Sequence, residues 1–265
     1  MEIRGKVVLI TGASEGIGAA CAEAFRHKGA QLALTARSVE KLRLVGRDDA
    51  LVIPGDITLD GTQEHVVNST IDRYGRIDVL INKAGIGLYT PAWRAPMKDV
   101  RSLFELNFFA PLRLIQLVAP HMRRQRGGTI VNVSSIAGKI TLPWMTLYSA
   151  GKYALCSLTD GLRMELRGDG VHLMSVCPGY VETGFQRHIL GGEIPAAIAG
   201  RRSFAISAAK CAQAIVRGVE NEKRTVMTPG LGWLAVSAAR LLPWLVDDRL
   251  ERMNSRRPEP ETPGA

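Results

Sequence analysis

What this 265-residue chain has little of narrows its reading first. Cysteine is sparse: Cys21, Cys156, Cys177 and Cys211 stand far apart in mostly apolar surroundings, which excludes a disulfide framework and suits reduced, buried thiols in a cytoplasmic protein. The five histidines, His27, His65, His121, His172 and His188, show no ligand spacing, so solvated or capping positions suit them and no metal is assigned. Aromatic residues make up 6% of the chain and do not interleave with its one dense basic cluster, Arg123-Arg124-Gln125-Arg126. The excess of 34 Lys+Arg over 25 Asp+Glu therefore does not read as a nucleic-acid surface. The uncharged stretch Val226 to Ala239 contains Pro229 and falls short of the roughly 20 residues needed to cross a bilayer. Met1 to Gly5 is too short and polar for a secretory leader, and no internal repeat is visible.

What is present is an alternation of short β-branched runs and amphipathic stretches, at a length that suits one α/β domain with a large core. Strands are expected at Lys6 to Ile10, Gln31 to Thr35, Leu51 to Ile53, Ile77 to Ile81, Thr129 to Val133, Val171 to Val176 and Thr225 to Met227. Helices are expected at Ile17 to Lys28, Asp60 to Tyr74, Met97 to Gln125 with interruptions at Pro111 and Pro120, and Thr146 to Arg167. Repeated strand–helix crossovers imply a doubly wound, Rossmann-type parallel sheet with helices on both faces. Ligands of such sheets sit beyond the carboxyl ends of the strands. The single domain is expected to span 1–254, with a proline- and charge-rich tail, 255–265, left disordered.

The first strand runs directly into Thr11-Gly12-Ala13-Ser14-Glu15-Gly16-Ile17-Gly18. Glycines there permit a tight turn and close backbone approach, and the following helix offers unpaired N–H groups and a positive dipole end to a pyrophosphate. A phosphate fits without a side-chain charge. Further along, Tyr148-Ser149-Ala150-Gly151-Lys152 follows Val133-Ser134-Ser135 by thirteen residues. On a helix, residues four apart share a face. An ammonium about 4 Å from a phenolate is worth roughly 4 kcal/mol at an effective dielectric of 20, or at most about 3 pKa units, so Lys152 could draw Tyr148 towards a neutral-pH proton donor. Ser135, at a strand end, could donate a hydrogen bond to a substrate oxygen as charge develops.

Taken together, the glycine spacing Gly-x-x-x-Gly-x-Gly at Gly12, Gly16 and Gly18 and the Ser135, Tyr148 and Lys152 set resemble the short-chain dehydrogenase/reductase family over almost the whole chain. The family's Asn-Asn-Ala-Gly maps onto Asn82-Lys83-Ala84-Gly85, with Lys83 as a departure. The resemblance implies that Asn107 completes the catalytic set with Ser135, Tyr148 and Lys152 by anchoring a proton-relaying water. It also implies cofactor contacts from Gly12, Ser14, Glu15, Gly16, Ile17, Gly18, Asp56, Ile57, Asn82, Ala84, Gly85, Tyr148 and Lys152. Pro178, Gly179, Val181 and Thr183 would orient the nicotinamide, and Asp56 would accept from the adenine amino group. The segment Ser135 to Lys139 with Pro143 is most similar to the hydroxysteroid-dehydrogenase-like branch.

Cofactor choice is read where the second strand ends, at Thr35-Ala36-Arg37-Ser38. No carboxylate stands there to take the ribose hydroxyls of NAD, and Arg37 suits the extra phosphate of NADP(H). Glu15, where many NADP-using relatives carry a base, argues the other way, so NADP(H) is preferred and NAD(H) stays open. A polyanionic cofactor and a basic tail account for the net charge of +9.

Leu88, Trp93, Leu142, Trp144, Met145, Phe185 and Ile189 favour a small apolar carbonyl or alcohol, steroid-like, retinoid-like or long-chain. Residues 184–207 form the expected substrate loop, with Gly191-Gly192 and Gly200 as hinges. The C-terminal apolar extension, about 229–254, could cover the cleft, pack on a partner, or rest peripherally on a membrane through Trp233, Trp244 and its arginines. By resemblance the helices at Met97 to Gln125 and Thr146 to Arg167 pair into a homodimer or homotetramer. The expected function is NAD(P)(H)-dependent carbonyl–alcohol interconversion, with a catalytically silent NADP(H)-sensing protein as the alternative.

Overall fold

The computed structural model describes residues 1–192 and 205–255. Most of the expected substrate loop beyond Gly192, including Gly200, and the tail from 256 onward lie outside the described residues. Seven parallel strands make the central sheet: β1 (Val7–Thr11), β2 (Gln31–Ala36), β3 (Ala50–Pro54), β4 (Val79–Asn82), β6 (Gly128–Val133), β7 (Val171–Pro178) and β11 (Thr225–Thr228), in the order β11-β7-β6-β4-β1-β2-β3. The chain builds outward from β1 in one direction, then restarts at β4 in the other. This reversal leaves a crevice at the carboxyl ends of β1 and β4, where an open α/β sheet receives its ligand.

The strands are buried on both faces, and residue alternation decides which core each side chain joins. Val8, Ile10, Leu32, Leu34, Val79, Ile81 and Val131 meet α1 (Gly16–His27), α2 (Val39–Gly46) and α7 (Ala208–Glu220), which supply Phe25, Leu42 and Ile215. Leu9, Ala33, Leu80 and Ile130 face the opposite way, against α3 (Asp60–Tyr74) and α5 (Ala110–Gln125), where Val66, Leu114 and Val118 fill the space. Each fully buried leucine or isoleucine contributes about 1.5–3 kcal/mol relative to exposure. A one-residue slip of β1 would exchange its faces.

The stretch Met97 to Gln125 departs from expectation. It is α4 (Met97–Phe104), a π-helical turn (Glu105–Phe109) and α5, and the interruption is that turn rather than either proline. Pro111 sits in the first turn of α5, where its missing N–H costs nothing, and Pro120 lies inside the helix without ending it. By length and composition alone this stretch would pass for a membrane-crossing helix, as buried core helices also can. Its Leu103, Leu114, Ile115, Val118 and Met122 are buried in the protein's own core.

Two small pairings stitch the crevice. β5 (Gly87–Tyr89) pairs with β9 (Ile189–Gly191), and β8 (Val181–Glu182) with β10 (Ile206–Ser207). The C-terminal extension forms α8 (Gly232–Leu241) and α9 (Pro243–Ser255), so Ser255 closes a helix rather than opening the tail. Val236 anchors α8 against Cys156, Cys177 and Met227, whereas Leu231, Trp233, Leu234, Leu241, Leu242, Trp244 and Leu245 are exposed.

Candidate active site

The glycine turn after β1 is shaped by contacts only glycine permits. Gly12 has φ +63°, and a Cβ there would stand 2.9 Å from Ala84 Cα. A Cβ on Gly18 would stand 2.2 Å from the Gly12 carbonyl oxygen, so Gly18 closes the turn from behind and lines neither cavity. Thr11 ties the turn to β4: its Oγ1 accepts from Lys83 N–H at 3.0 Å and Ala84 N–H at 3.1 Å. α1 begins at Gly16 with no side-chain cap, and Gly16 (φ +58°) lies 3.2 Å from Thr183, measured from an added Cβ. These features fit the diphosphate of a dinucleotide.

Lys83, the departure from the family pattern, puts a cation where the sequence suggested that none was needed. Its Nζ donates to the Gly12 carbonyl at 3.3 Å, and burial pushes its pKa down while the Glu15 carboxylate opposes this. Asn82 behaves differently from expectation. It is buried and donates to Asn132 Oδ1 at 2.8 Å, and Asn132 donates to Thr159 at 2.9 Å; Asn82 lines neither cavity and braces β4 against β6 and α6 (Thr146–Glu165).

One cavity of about 630 Å³ runs over the carboxyl ends of β1, β2 and β3. Gly12, Ser14, Glu15, Arg37, Asp56, Ile57, Ala84 and Gly85 line it, all expected cofactor residues. Asp56 Oδ1 accepts from the Thr58 N–H and hydroxyl at 3.0 and 2.8 Å, a turn-capping task as well as a lining one. Lys41 and His188 join the lining, and reasoning from sequence missed both. Lys41 lies four residues past Arg37, a spacing that could have been noticed; His188 comes from 173 residues beyond its partner Glu15.

A second cavity, about 270 Å³, adjoins it and brings together Ser135, Tyr148 and Lys152 with Gly16, Ile17, Pro178, Gly179, Val181 and Thr183. Leu142, Met145 and Phe185 supply apolar wall, together with Ile136 and Tyr180, which the sequence reading did not name. Ile189 lines the larger cavity instead. Leu88 is fully buried, while Trp93 and Trp144 pack on each other, ring centroids 5.6 Å apart, outside both cavities.

The electrostatics of this triad differ from the sequence-based expectation. Burial pushes the Tyr148 hydroxyl up to about 12, with a hydrogen bond to Ser135 pulling the other way. Lys152 is pushed down to about 8, chiefly by burial. Its Nζ donates to the Val133 carbonyl at 3.0 Å and lies 5.7 Å from the centre of the Tyr148 ring, so the protein alone does not draw Tyr148 towards neutrality. Asn107 occupies the π-helical turn, fully buried. Its Oδ1 accepts from Ile86 N–H at 3.0 Å and its Nδ2 donates to the Ile86 carbonyl at 2.8 Å. Both groups of the expected water anchor thus bond to the Ile86 main chain; a Cβ on Gly85 would lie 2.9 Å from Asn107 Oδ1 and 3.5 Å from Lys152 Nζ.

Among the described residues no cluster of three His, Cys, Asp or Glu could hold a metal ion. The four cysteines are free and buried. Cys156 and Cys177 approach to 4.0 Å, and this contact together with burial pushes the Cys177 thiol up.

The parallel sheet, the glycine turn and the Ser135, Tyr148 and Lys152 cavity agree with what the chain matches. Residues 6–193 match the short chain dehydrogenase family. The chain is 33% identical over 238 residues to human dehydrogenase/reductase SDR family member 7, covering 85% of this chain and 70% of that protein. It is 32% identical over 259 residues to 11-beta-hydroxysteroid dehydrogenase-like 4A of Arabidopsis thaliana, covering 91% and 83%. A short chain dehydrogenase from Burkholderia cenocepacia J2315, solved in complex with NADP, superposes with a TM-score of 0.80 at 28% identity, covering 94% of this chain and 99% of that one. The chain belongs to the short-chain dehydrogenase/reductase family and is an oxidoreductase of that family.

Proposed function

We propose that this oxidoreductase interconverts a carbonyl and an alcohol on an apolar substrate, with NADP(H) preferred and NAD(H) accepted more weakly. The observation that carries this reading is the convergence of Ser135, Tyr148 and Lys152 on a cavity walled by Leu142, Met145 and Phe185 and continuous with the glycine turn. The nicotinamide cofactor supplies the hydride when bound. Ser135 steadies the substrate oxygen by hydrogen bonding, and Tyr148 holds the proton that this oxygen takes up. A hydroxyl pushed up to about 12 stays protonated at neutral pH and so has a proton to give in the reducing direction. Lys152 holds the cofactor ribose and offsets charge on Tyr148 as its proton leaves. Asn107 positions Gly85 and Ile86 beside Lys152.

Support for NADP(H) comes from Arg37 at the end of β2, with no carboxylate at that strand end, and from the NADP-bound bacterial relative. The apolar wall supports a steroid-like, retinoid-like or long-chain substrate. Exposed Trp233, Leu234, Leu241, Trp244 and Leu245 support a peripheral membrane contact by the C-terminal extension. Exposed Phe109 and Tyr153, on the helices this family pairs, support a homo-oligomer.

The test follows NADPH and NADH absorbance against a panel of lipophilic ketones and aldehydes, with Tyr148→Phe alongside. NADPH consumption that the variant loses supports the reading. Tight NADPH binding with no turnover on any member, and none lost in the variant, favours a nucleotide-sensing protein instead.

A further inference from the structure

Two thiols stand beside the catalytic residues, and the proposed mechanism uses neither. Cys156 lies on α6 one turn past Lys152, on the same helix face. Cys177 lies on β7 immediately before Pro178 and Gly179, which line the cavity of Tyr148. The two sulfurs are 4.0 Å apart. They are also joined to the catalytic helix by hydrogen bonds: Cys156 Sγ donates to Ser134 Oγ at 3.3 Å, and Ser134 Oγ donates to the Lys152 carbonyl at 3.0 Å.

A disulfide has its sulfurs about 2.05 Å apart, so each would travel about 1 Å to form one. Lys139 places a positive charge near both, which favours the thiolate that such chemistry needs. Access is the remaining requirement, since Cys156 is 3% exposed and Cys177 is fully buried. Their cover is α8, whose Val236 packs on Cys156, Cys177 and Met227. Val236 is the only buried residue of α8, while its neighbours Trp233, Leu234 and Leu241 are exposed. Little apolar area therefore opposes lifting of this helix.

We propose that Cys156 and Cys177 form a redox modification site, a dithiol that a hydroperoxide converts to a disulfide when α8 lifts, slowing turnover reversibly. In the first step one thiolate attacks the terminal peroxide oxygen. The O–O bond breaks, and the departing alkoxide or hydroxide takes up the thiol proton to leave as alcohol or water. The sulfenic acid so formed is attacked by the second sulfur; its S–O bond breaks and water leaves with the second thiol proton. Two thiols thus lose two electrons, and one hydroperoxide gains them. The disulfide draws α6, one turn from Lys152, towards the strand that ends in Pro178. Displacing a catalytic group by about 1 Å is enough to cost up to about 10²-fold in rate. The effect on turnover rests on the carbonyl-reduction reading above; the cross-link does not.

The test treats the full chain with hydrogen peroxide, blocks remaining thiols with iodoacetamide, and reads peptide masses beside NADPH affinity and turnover. The expected result is a Cys156–Cys177 cross-link, two hydrogen masses lighter than the reduced pair, with turnover lowered about ten-fold or more and both changes reversed by dithiothreitol. Val236→Ala should speed cross-linking several-fold and give the same product. The Cys156→Ala/Cys177→Ala double variant should show the same turnover before and after treatment. Met164, 75% exposed, serves as an internal gauge of oxidant dose. Oxidation of Met164 with no cross-link in the wild type overturns the proposal, and this readout needs no variant to fold. Peroxide inactivation that persists in the double variant overturns the link to turnover. A cross-link in a protein that binds NADPH but reduces no carbonyl supports the site and counts against the carbonyl reading alone.

Discussion

Lys152 donates a hydrogen bond from its ammonium to the main-chain carbonyl of Val133 at 3.0 Å, anchoring the first half of α6 to the last residue of β6. The bond fixes where the Tyr148 ring stands, since Tyr148 lies one turn earlier on the same helix face. Strand end, lysine and tyrosine thus form one rigid unit. Its protonation state is set by burial, which disfavours charge on both side chains: Tyr148 goes up to about 12 and Lys152 down to about 8.

On the proposed mechanism, removing the Tyr148 hydroxyl should stop turnover without disturbing the cofactor. Tyr148→Phe keeps the ring that packs on Phe185, centroids 6.0 Å apart, and so keeps the fold. Loss of a general acid is expected to lower kcat by about 10²–10⁴-fold. NADPH dissociation constants should stay within about two-fold of wild type. Steady-state kinetics with fluorescence titration check both, and retained turnover would reject Tyr148 as the donor.

The pH dependence follows from the same two values. On the proposed mechanism reduction uses the protonated phenol, present throughout the neutral range, so its rate should be flat there and decline as Lys152 loses its charge above about 8. Oxidation uses the ionised phenol and should climb with pH towards about 12. Lys152→Arg is expected to remove the inflection near 8, because a guanidinium stays charged across this range. A pH–rate profile of kcat in both directions distinguishes these outcomes; an inflection that persists in the arginine variant assigns it to another group.

Buried charge also costs stability, and its sign can be worked out. Lys152 has its folded pKa lowered from 10.5 to about 8, so the folded state resists protonation. The cost is fully present below about 8 and is relieved as pH rises towards 10.5. Lys152→Met should accordingly raise Tm at neutral pH, lose that advantage by pH 10.5, and abolish turnover. Thermal melts across this range test the prediction; a Tm gain independent of pH would reject charge burial as its cause.

Much of this architecture was legible in the chain, and the reasons for the exceptions are physical. Asp60 to Tyr74 folds as the helix its pattern suggests, and β1, β2 and β6 fall within a residue or so of their apolar runs. The π-helical turn at Glu105 to Phe109 was not legible, because its Asn107 bonds to Ile86, a tertiary contact that no local periodicity encodes. The β5–β9 pairing joins three-residue strands a hundred residues apart, too short to announce themselves. At the site, the meeting of Ser135, Tyr148 and Lys152 at one cavity was readable because spacing carries it. The position of Lys152 Nζ and the partners of Glu15 were not, since each depends on which way a long side chain turns in the folded protein.

Glu15 links the glycine turn to the segment after β8, and acid should loosen that link. Its folded pKa is lowered from 4.5 to about 2, so the stability it contributes is present above about 4.5 and is lost as pH falls towards 2. Glu15→Gln should melt below wild type near neutrality and converge with it across that acid window. Because Glu15 and both its partners reach solvent, the difference should be small and should shrink with added salt. Parallel curves down to pH 2 would show that the pair with His188 and Lys41 contributes nothing.

The exposed face of the C-terminal extension carries the last expectation. Arg240, Arg249 and Arg252 are balanced over the same helices by Asp247, Asp248 and Glu251, and Arg252 pairs with Asp248 at 2.6 Å. Long-range attraction to anionic headgroups is therefore weak across α8 and α9, and contact must come from apolar area. Trp244, 63% exposed, and Leu245, 56% exposed, are its most accessible neighbouring pair. Neutral phosphatidylcholine vesicles should bind the protein nearly as well as anionic ones, with a blue shift of tryptophan emission and little dependence on salt. Trp244→Ser with Leu245→Ser should remove binding while leaving Tm and NADPH affinity unchanged, since neither side chain supports the core. A wild-type protein that ignores both kinds of vesicle, while the double variant changes its oligomeric state in solution, would reassign this face to a second copy of the chain.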